Sequence, residues 1–517
     1  MKNSNEPIYD ARKLGVPKML ILGIQHMFAM FGATILVPIL VAGYFQGACG
    51  EPLSRGLTVS VTLFCAGFGT LIFHLCSKFK VPAFLGSSFA FLGGFYTVAN
   101  LKSGMYADMA ANDKVAYACG GIVVAGLLYL VVALIFKLVG VNRVMKFLPP
   151  VVTGPIIICI GLSLAPSAVS NASGNWLIAF VALAVIVVFN IWGKGMAKII
   201  PIILGLLISY GTGLVLYFIS QANPDLIQNV PWLFSGGADA NGVYQPIFDF
   251  TSLNTICDNI SKGHIFGSEG LIGIPIHWDK TVFGGIDYSN GALIASSIIA
   301  IVPIAFATMM EHIGDMSAIS ATVGENFIED PGLHRTLIGD GLATSLSALV
   351  GGPANTTYGE NTGVLELSKV YDPRVIRIAA IFAVILSFIP KMADVIGSMP
   401  SAIIGGVSFM LYGMISAIGV RNVVENRVDF TKSRNLIIAG VIFVCGLGFS
   451  DGLTFNVANT DITLTSLAIA AIAGIVLNAI LPGNDYHFGK NAGGDANRGI
   501  DMIPNFNEDT RYGDNED

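Results

Sequence analysis

PANTTYGENTG, residues 353–363, stands where the spacing of apolar segments requires a membrane span. It holds Pro353, Gly359 and Gly363, which break helices, and the ionisable Glu360. In hydrocarbon every backbone group must be satisfied internally, and a carboxylate there is costly. The stretch therefore predicts a broken span whose irregular backbone walls a small-molecule site instead of facing lipid.

The rest of the chain supplies the membrane setting. Of its 517 residues 53% are hydrophobic and only 12% charged, with a mean hydropathy of +0.70. Soluble domains carry about 25% charged residues. Apolar runs of about 20 residues recur from end to end, which defines an all-α polytopic membrane protein embedded in a lipid bilayer. The net charge of −6 and the lack of a basic patch exclude a nucleic-acid partner. Cys65, Cys76, Cys119, Cys159 and Cys445 lie in apolar runs and read as small packing residues, while Cys49 and Cys257 fall in loops. The first apolar run is too long for a signal-peptide core and is expected to remain as a helix. No cofactor motif and no metal-ligand spacing is read from the sequence.

Fourteen segments follow: 19–44, 56–77, 82–100, 115–136, 147–169, 176–192, 199–220, 291–314, 336–351, 353–370, 375–396, 400–419, 435–450 and 462–481. With this count, 22 of the 28 Lys and Arg fall on one side, together with both termini. The other side keeps Arg55, Lys102, Lys114, Lys262, Lys280 and Lys391. That bias predicts cytoplasmic termini and an even number of spans. The chain then divides into a cytoplasmic N-terminus (1–18), a first seven-span repeat (19–220), an extracytoplasmic loop with a hairpin (221–290), a second seven-span repeat (291–481) and a disordered cytoplasmic tail (482–517). An odd number of spans per half sets the halves in opposite orientations, the condition for an inverted repeat.

The third segment of the first half, PAFLGSSFAF (82–91), matches the opening stretch in position. Aligning Pro82-Ala83 with Pro353-Ala354 sets Ser88 against Gly359 and Phe89 against Glu360. Paired, Gly/Ser/Thr-interrupted spans in corresponding positions point to a transporter binding site.

Polar groups recur at membrane depth in four places. His26, after Gln25, lies in the first span, where an interhelical hydrogen bond is its structural alternative. Ser87 and Ser88 precede Phe89, and the break exposes the Ser88 N–H as a donor. Glu311 and Asp315, spaced i, i+4 near the cytoplasmic end of the eighth span, share one helix face and together can hold a proton. Glu360 has Thr356, Tyr358 and Asn361 around it. Carboxylates, an amide, freed N–H groups and the flat faces of Phe89 or Tyr358 suit a small, planar, uncharged ligand with alternating N–H and C=O groups, such as a nucleobase. No nucleotide-binding loop is present for ATP-driven transport, so the energy source is read as an ion gradient, with H⁺ the natural ion.

At these residues the sequence resembles the nucleobase–ascorbate transporter family, and within it the bacterial uracil permeases. The resemblance runs from about residue 17 to 481 and rests on QHMFAMFGATILVPIL (25–40), PAFLGSSFAF (82–91), EHIGD (311–315), DPGLHR (330–335), NTTYGENTGV (355–364) and LYG (411–413). It implies fourteen spans in two inverted seven-span repeats, with short strands in segments three and ten that pair across the substrate site. It implies a core domain from segments 1–4 and 8–11, a gate domain from 5–7 and 12–14, and elevator-type movement between them. It also implies a homodimer and proton-coupled uracil uptake across the bacterial inner membrane. By position, Glu311 and Glu360 would be the substrate-binding carboxylates, with Phe89 and Gly359 offering backbone N–H groups. Tyr358 would shape the pocket, and His26 would lie nearby in a structural or proton-handling role. From their own placement Ser88 is also read as substrate-binding, and Asp315 and Asn361 as supporting or proton-handling residues.

Two departures qualify the resemblance. Ser368-Lys369 replaces the usual Thr with a basic or small residue, and Asp315 stands where uracil permeases carry His. Asp315 resembles the purine and ascorbate members, whereas Glu360 stands where purine members carry Gln. A proton-coupled xanthine or guanine symporter is therefore the alternative within the family. An anion transporter of related fold would need a cation near the breaks, and none lies in 82–91 or 353–368. A membrane enzyme would need a nucleophile–base pair or metal set, which only His26, Glu311 and Glu360 could mimic.

Overall fold

Glycines and prolines set the limits of the first helix. α1 (Val16–Cys49) starts after Gly15, with Pro17 in its first turn, and stops at Gly50, whose left-handed conformation closes the last turn. The computed structural model describes residues 7–51, 53, 57–101, 109–238, 242–248, 250, 272–276, 278, 281–288, 291–389, 399–449, 452–457, 460–484 and 486. The expectations placed on Arg55, Lys102, Cys257, Lys262, Lys280, Lys391 and most of the tail 482–517 lie outside the described residues.

After α1 come α2 (Val59–Cys76), β1 (Leu85–Ser87), α3 (Leu92–Ala99), α4 (Ala111–Val139), α5 (Pro150–Ala172), α6 (Trp176–Trp192) and α7 (Pro201–Ala222). The central connection contains a hairpin of β2 (Ser235–Ala238) and β3 (Tyr244–Pro246). The second half runs through α8 (Gly291–Ile301), α9 (Ile304–Val323), α10 (Leu333–Leu349), β4 (Asn355–Thr357), α11 (Gly359–Ser368), α12 (Pro373–Ser387) and α13 (Ser401–Glu425). It ends with α14 (Ser433–Gly448), a hairpin of β5 (Leu453–Val457) and β6 (Thr460–Leu464), and α15 (Ser466–Ile480). Among the described residues seven helices are long and apolar enough to cross a membrane, counting Leu293–Val323 as one, and α6, α14 and α15 are shorter apolar helices. The chain is a mostly helical, multi-pass membrane protein.

Three details correct the sequence reading. The eighth segment does not stop at 314: α9 continues to Val323, so Glu311 lies inside a long helix and not near its end. Hydropathy falls there, but Ser317 and Ser320 return their hydroxyls to the carbonyls of Ile313 (3.0 Å) and Met316 (2.7 Å), which keeps the turns satisfied. Pro303, unable to donate to the carbonyl four residues back, divides this span into α8 and α9. The last segment does not begin at 462, because residues 460–464 are strand and Thr465 caps α15 by accepting from the Ala468 N–H at 3.0 Å.

The helices pack in a repeating scheme. α2 lies against α10 and α12, α4 against α10 and α8, and α1 against α12. Elsewhere α5 lies against α13 and α14, α6 against α13 and α7, and α14 against α15. Small residues permit the tightest crossings. A Cβ on Gly126 of α4 would stand 2.6 Å from the Gly341 carbonyl oxygen of α10, and one on Gly341 would stand 2.7 Å from that of Gly126. The N-terminal segment is tied to the α11–α12 connection. Ile8 bridges Val370, and Arg374 joins Asp10 (2.9 Å) to Asp372 (3.1 Å).

Candidate functional site

The two breaks meet as a pair of crossed strands. β1 and β4 run antiparallel in the register Leu85 with Thr357, Gly86 with Thr356 and Ser87 with Asn355. The ladder extends one bond at each end: the Ser88 N–H donates to the Ala354 carbonyl (2.8 Å) and the Tyr358 N–H to the Phe84 carbonyl (2.9 Å). These two bonds are counterparts, so Phe84 corresponds to Ala354 and Ser88 to Tyr358. The alignment through the two Pro-Ala pairs is therefore displaced by one residue, since the first break has one more residue between its proline and its strand. In the corrected frame Phe89 corresponds to Gly359, and Ala90 to Glu360. A second correction concerns Ser88, whose N–H is consumed by the ladder and whose side chain is buried. Phe89 and Gly359 are the first residues past the ladder at each end.

Side chains fasten the crossing to its neighbours. The Tyr358 hydroxyl donates to the Ser87 carbonyl at 2.8 Å, lies 3.2 Å from Ser87 Oγ and accepts from Thr34 Oγ1 of α1 at 3.3 Å. Ser87 Oγ in turn donates to the Thr34 carbonyl at 3.0 Å. The Tyr358 ring lies so close over Gly86 that a Cβ there would meet it at 2.4 Å. Tyr358 is thus buried, stitching β4 to β1 and α1. Asn355 sends its amide to the Cys65 carbonyl of α2 at 3.1 Å, so the second strand is also tied across to the first half.

α9 brings its acidic face to this crossing. Thr357 Oγ1 donates to Asp315 Oδ2 at 2.7 Å, and Asp315 Oδ1 is the nearest atom to a Cβ built on the exposed Gly359, at 3.7 Å. Glu311, one turn earlier, is half-buried like Asp315. Phe89 is half-buried past the other end of the ladder. Glu360 occupies the first turn of α11, and its side chain lies outside the described residues. Asn361 donates to the His26 carbonyl at 3.1 Å and lies 3.3 Å from His26 Nδ1, with both residues buried. The structure thus joins His26 to Asn361 and Asp315 to β4 and Gly359, while Ser88 and Tyr358 belong to the strand pair itself.

Sequence reasoning missed a second polar layer. His312 Nδ1 stands 3.2 Å from Asp340 Oδ2 of α10, and both side chains have zero exposure. The contact has ion-pair distance without hydrogen-bond alignment. Nearby on α9, Thr308 is hydrogen-bonded by the Tyr129 hydroxyl of α4. Asp340 sits in the run Gly339-Asp340-Gly341, where the glycines mask the one informative signal, a carboxylate inside an apolar segment. A separate cavity of about 270 Å³, lined by Arg427, Lys432 and Arg434, shares no residue with the crossing.

Comparison with known proteins adds to this geometry. A family described as a permease family matches residues 17–454. The uracil permease of Bacillus caldolyticus is 37% identical over 491 residues, 93% of this chain and 96% of that one. The uracil permease of Bacillus subtilis is 37% identical over 472 residues, 89% and 91% of the two chains. The uracil permease of Escherichia coli is 31% identical over 470 residues, 89% and 90%. Among solved structures, the transmembrane domain of the cyanobacterial bicarbonate transporter BicA is 15% identical, covering 86% of this chain and 98% of that one with a TM-score of 0.44.

Proposed function

The chain belongs to the permease family, as a nucleobase–ascorbate transporter of uracil permease type, and from that premise we propose that it imports uracil together with a proton. It is a transporter and not an enzyme. The observation that carries the reading is the crossing of β1 and β4 with the acidic face of α9 laid against it. Phe89 and Gly359, past the ends of the ladder, would donate backbone N–H groups to the uracil carbonyls. Glu360 would accept from a ring N–H as a carboxylate, a charge-assisted bond worth roughly twice a neutral one, and Glu311 would accept from the other through its carboxyl oxygen. Glu311 would carry the coupled proton, with Asp315 held in place by Thr357. His26 and Asn361 would support α11 from α1.

Two inverted seven-span repeats are supported by the counterpart hydrogen bonds at the crossing and by the packing scheme. α2 on α12 has its counterpart in α10 on α4, and α5 on α14 in α13 on α6. In this reading the elements from α1 to α4 and from α8 to α12 form the core that carries the site. α5–α7 and α13–α15 form the gate, and the core moves against it as an elevator. The protein would work as a homodimer in the bacterial inner membrane with both termini cytoplasmic.

Asp315 is the observation that favours a purine symporter instead. Labelled uracil uptake in cells lacking their own permease decides between them. The expected result is saturable accumulation, abolished by a protonophore and indifferent to excess xanthine. No uptake of labelled uracil alongside saturable uptake of labelled xanthine would replace the substrate, and accumulation that survives the protonophore would remove the proton.

A further inference from the structure

A two-stranded ribbon consists only of edges. In the β1–β4 pair, antiparallel alternation turns the N–H and C=O of Leu85 and of Asn355 outward, away from the partner strand. At membrane depth those groups need partners. In each half one threonine on the helix before the break supplies both. Thr70 Oγ1 of α2 accepts from the Leu85 N–H at 2.9 Å and faces the Leu85 carbonyl at 3.2 Å. Thr344 Oγ1 of α10 accepts from the Asn355 N–H at 3.3 Å and donates to the Asn355 carbonyl at 2.9 Å. Both threonines have zero exposure. A hydroxyl suits this task because it donates and accepts at one atom.

We propose that Thr70 and Thr344 are positioning residues for transport, clamps that fix the depth of the crossed strands and so the placement of Phe89, Gly359 and Glu360. The inference rests on the crossing being the substrate site. Both threonines would act through the strand backbone they hold. The clamps differ in strength, because the single Thr70 hydroxyl hydrogen is shared with the Ala66 carbonyl at 2.7 Å, whereas that of Thr344 goes to Asn355. Valine keeps the shape of threonine and removes the hydroxyl, leaving a buried N–H and C=O without that partner.

Purified full-length protein carrying Thr70→Val, Thr344→Val or the serine replacements tests the proposal through uracil affinity and hydrogen–deuterium exchange. Thr344→Val is expected to weaken uracil binding about tenfold and Thr70→Val about threefold. Exchange should rise in the peptides spanning Leu85 and Asn355 and not elsewhere. Serine, which keeps the hydroxyl, should restore both readouts. If a valine variant does not fold, Thr344→Cys, with its weaker hydrogen-bonding thiol, replaces it and should show a smaller shift in the same direction. Wild-type exchange at Leu85 and Asn355, or wild-type affinity in a variant whose exchange has risen, overturns the clamp. Glu360→Gln measured alongside separates the two ideas. Unchanged affinity in that variant removes the site reading, while the exchange data still judge the threonines.

Discussion

The two breaks share a backbone and differ in almost everything attached to it. Each has a short strand, one ladder bond donated just past it, and a threonine clamp from the preceding helix. Around β1 the side chains are Phe84, Leu85, Ser87, Ser88, Phe89 and Ala90; across the corresponding stretch around β4 they are Ala354, Asn355, Thr356, Thr357, Tyr358 and Glu360. The first break carries no charge and no side-chain amide, while the second carries Glu360 and Asn355. The ladder and its clamps run through backbone groups and the hydroxyls of Thr70 and Thr344, so they do not require the two strands to carry the same side chains. If the crossing is the substrate site, its selectivity would come from that asymmetry.

Substitutions that erase the asymmetry should have the largest effect. Glu360 stands where the first break has Ala90, and Glu360→Gln is expected to weaken uracil binding about a hundredfold, because a charged acceptor becomes a neutral one. Equilibrium binding to purified protein checks this, and unchanged affinity would take Glu360 out of the site. Glu311→Gln, on the helix whose Asp315 is held by Thr357 of the second break, should leave exchange of internal and external uracil and abolish pH-driven accumulation. Normal accumulation in proteoliposomes with an imposed proton gradient would assign coupling elsewhere.

A subtler change sharpens the comparison at the strand ends. Thr357 gives its hydroxyl to Asp315, whereas its ladder partner in the first break, Leu85, has none to give. Thr357→Val should cost about fivefold in uracil affinity by releasing Asp315 from the crossing, and it should shift the pH profile of uptake. A loss of affinity with an unmoved pH profile would leave Asp315 a purely structural role.

The contrast between the breaks also marks what was legible in the chain. Pro353 and Gly359 announced the second break, although Gly363 lies inside α11 and breaks nothing, and the long apolar run of α6 matches residues 176–192 at both ends, because such signals are local. The register of the crossing was not local. Two Pro-Ala pairs suggested one frame, and hydrogen bonds between residues far apart in sequence fixed another. Asp340 escaped notice because its partner, His312, comes from a different helix. Thr70 and Thr344 look like any hydroxyl in an apolar helix until the strand edges they satisfy are in view.

The smallest expected effects on uracil affinity come from the glycines of the two breaks, and they separate packing from binding. Gly86 lies under the Tyr358 ring, and a Cβ would meet that ring at 2.4 Å and Thr34 Oγ1 at 2.9 Å. The ring cannot withdraw without breaking its bond to the Ser87 carbonyl. Gly86→Ala should therefore destabilise the protein by about 1–3 kcal/mol, the usual cost of overpacking, read as a lower melting temperature. Gly359 meets nothing nearer than Asp315 Oδ1 at 3.7 Å and opens a helix, where alanine is favoured over glycine. Gly359→Ala should leave the melting temperature unchanged or slightly raised, and its effect, about threefold or less, should fall on uracil affinity alone, because the added methyl borders the ligand and not the fold. A destabilised Gly359→Ala would mean that the second break is packed as tightly as the first, and the division between a scaffold strand and a binding strand would fail.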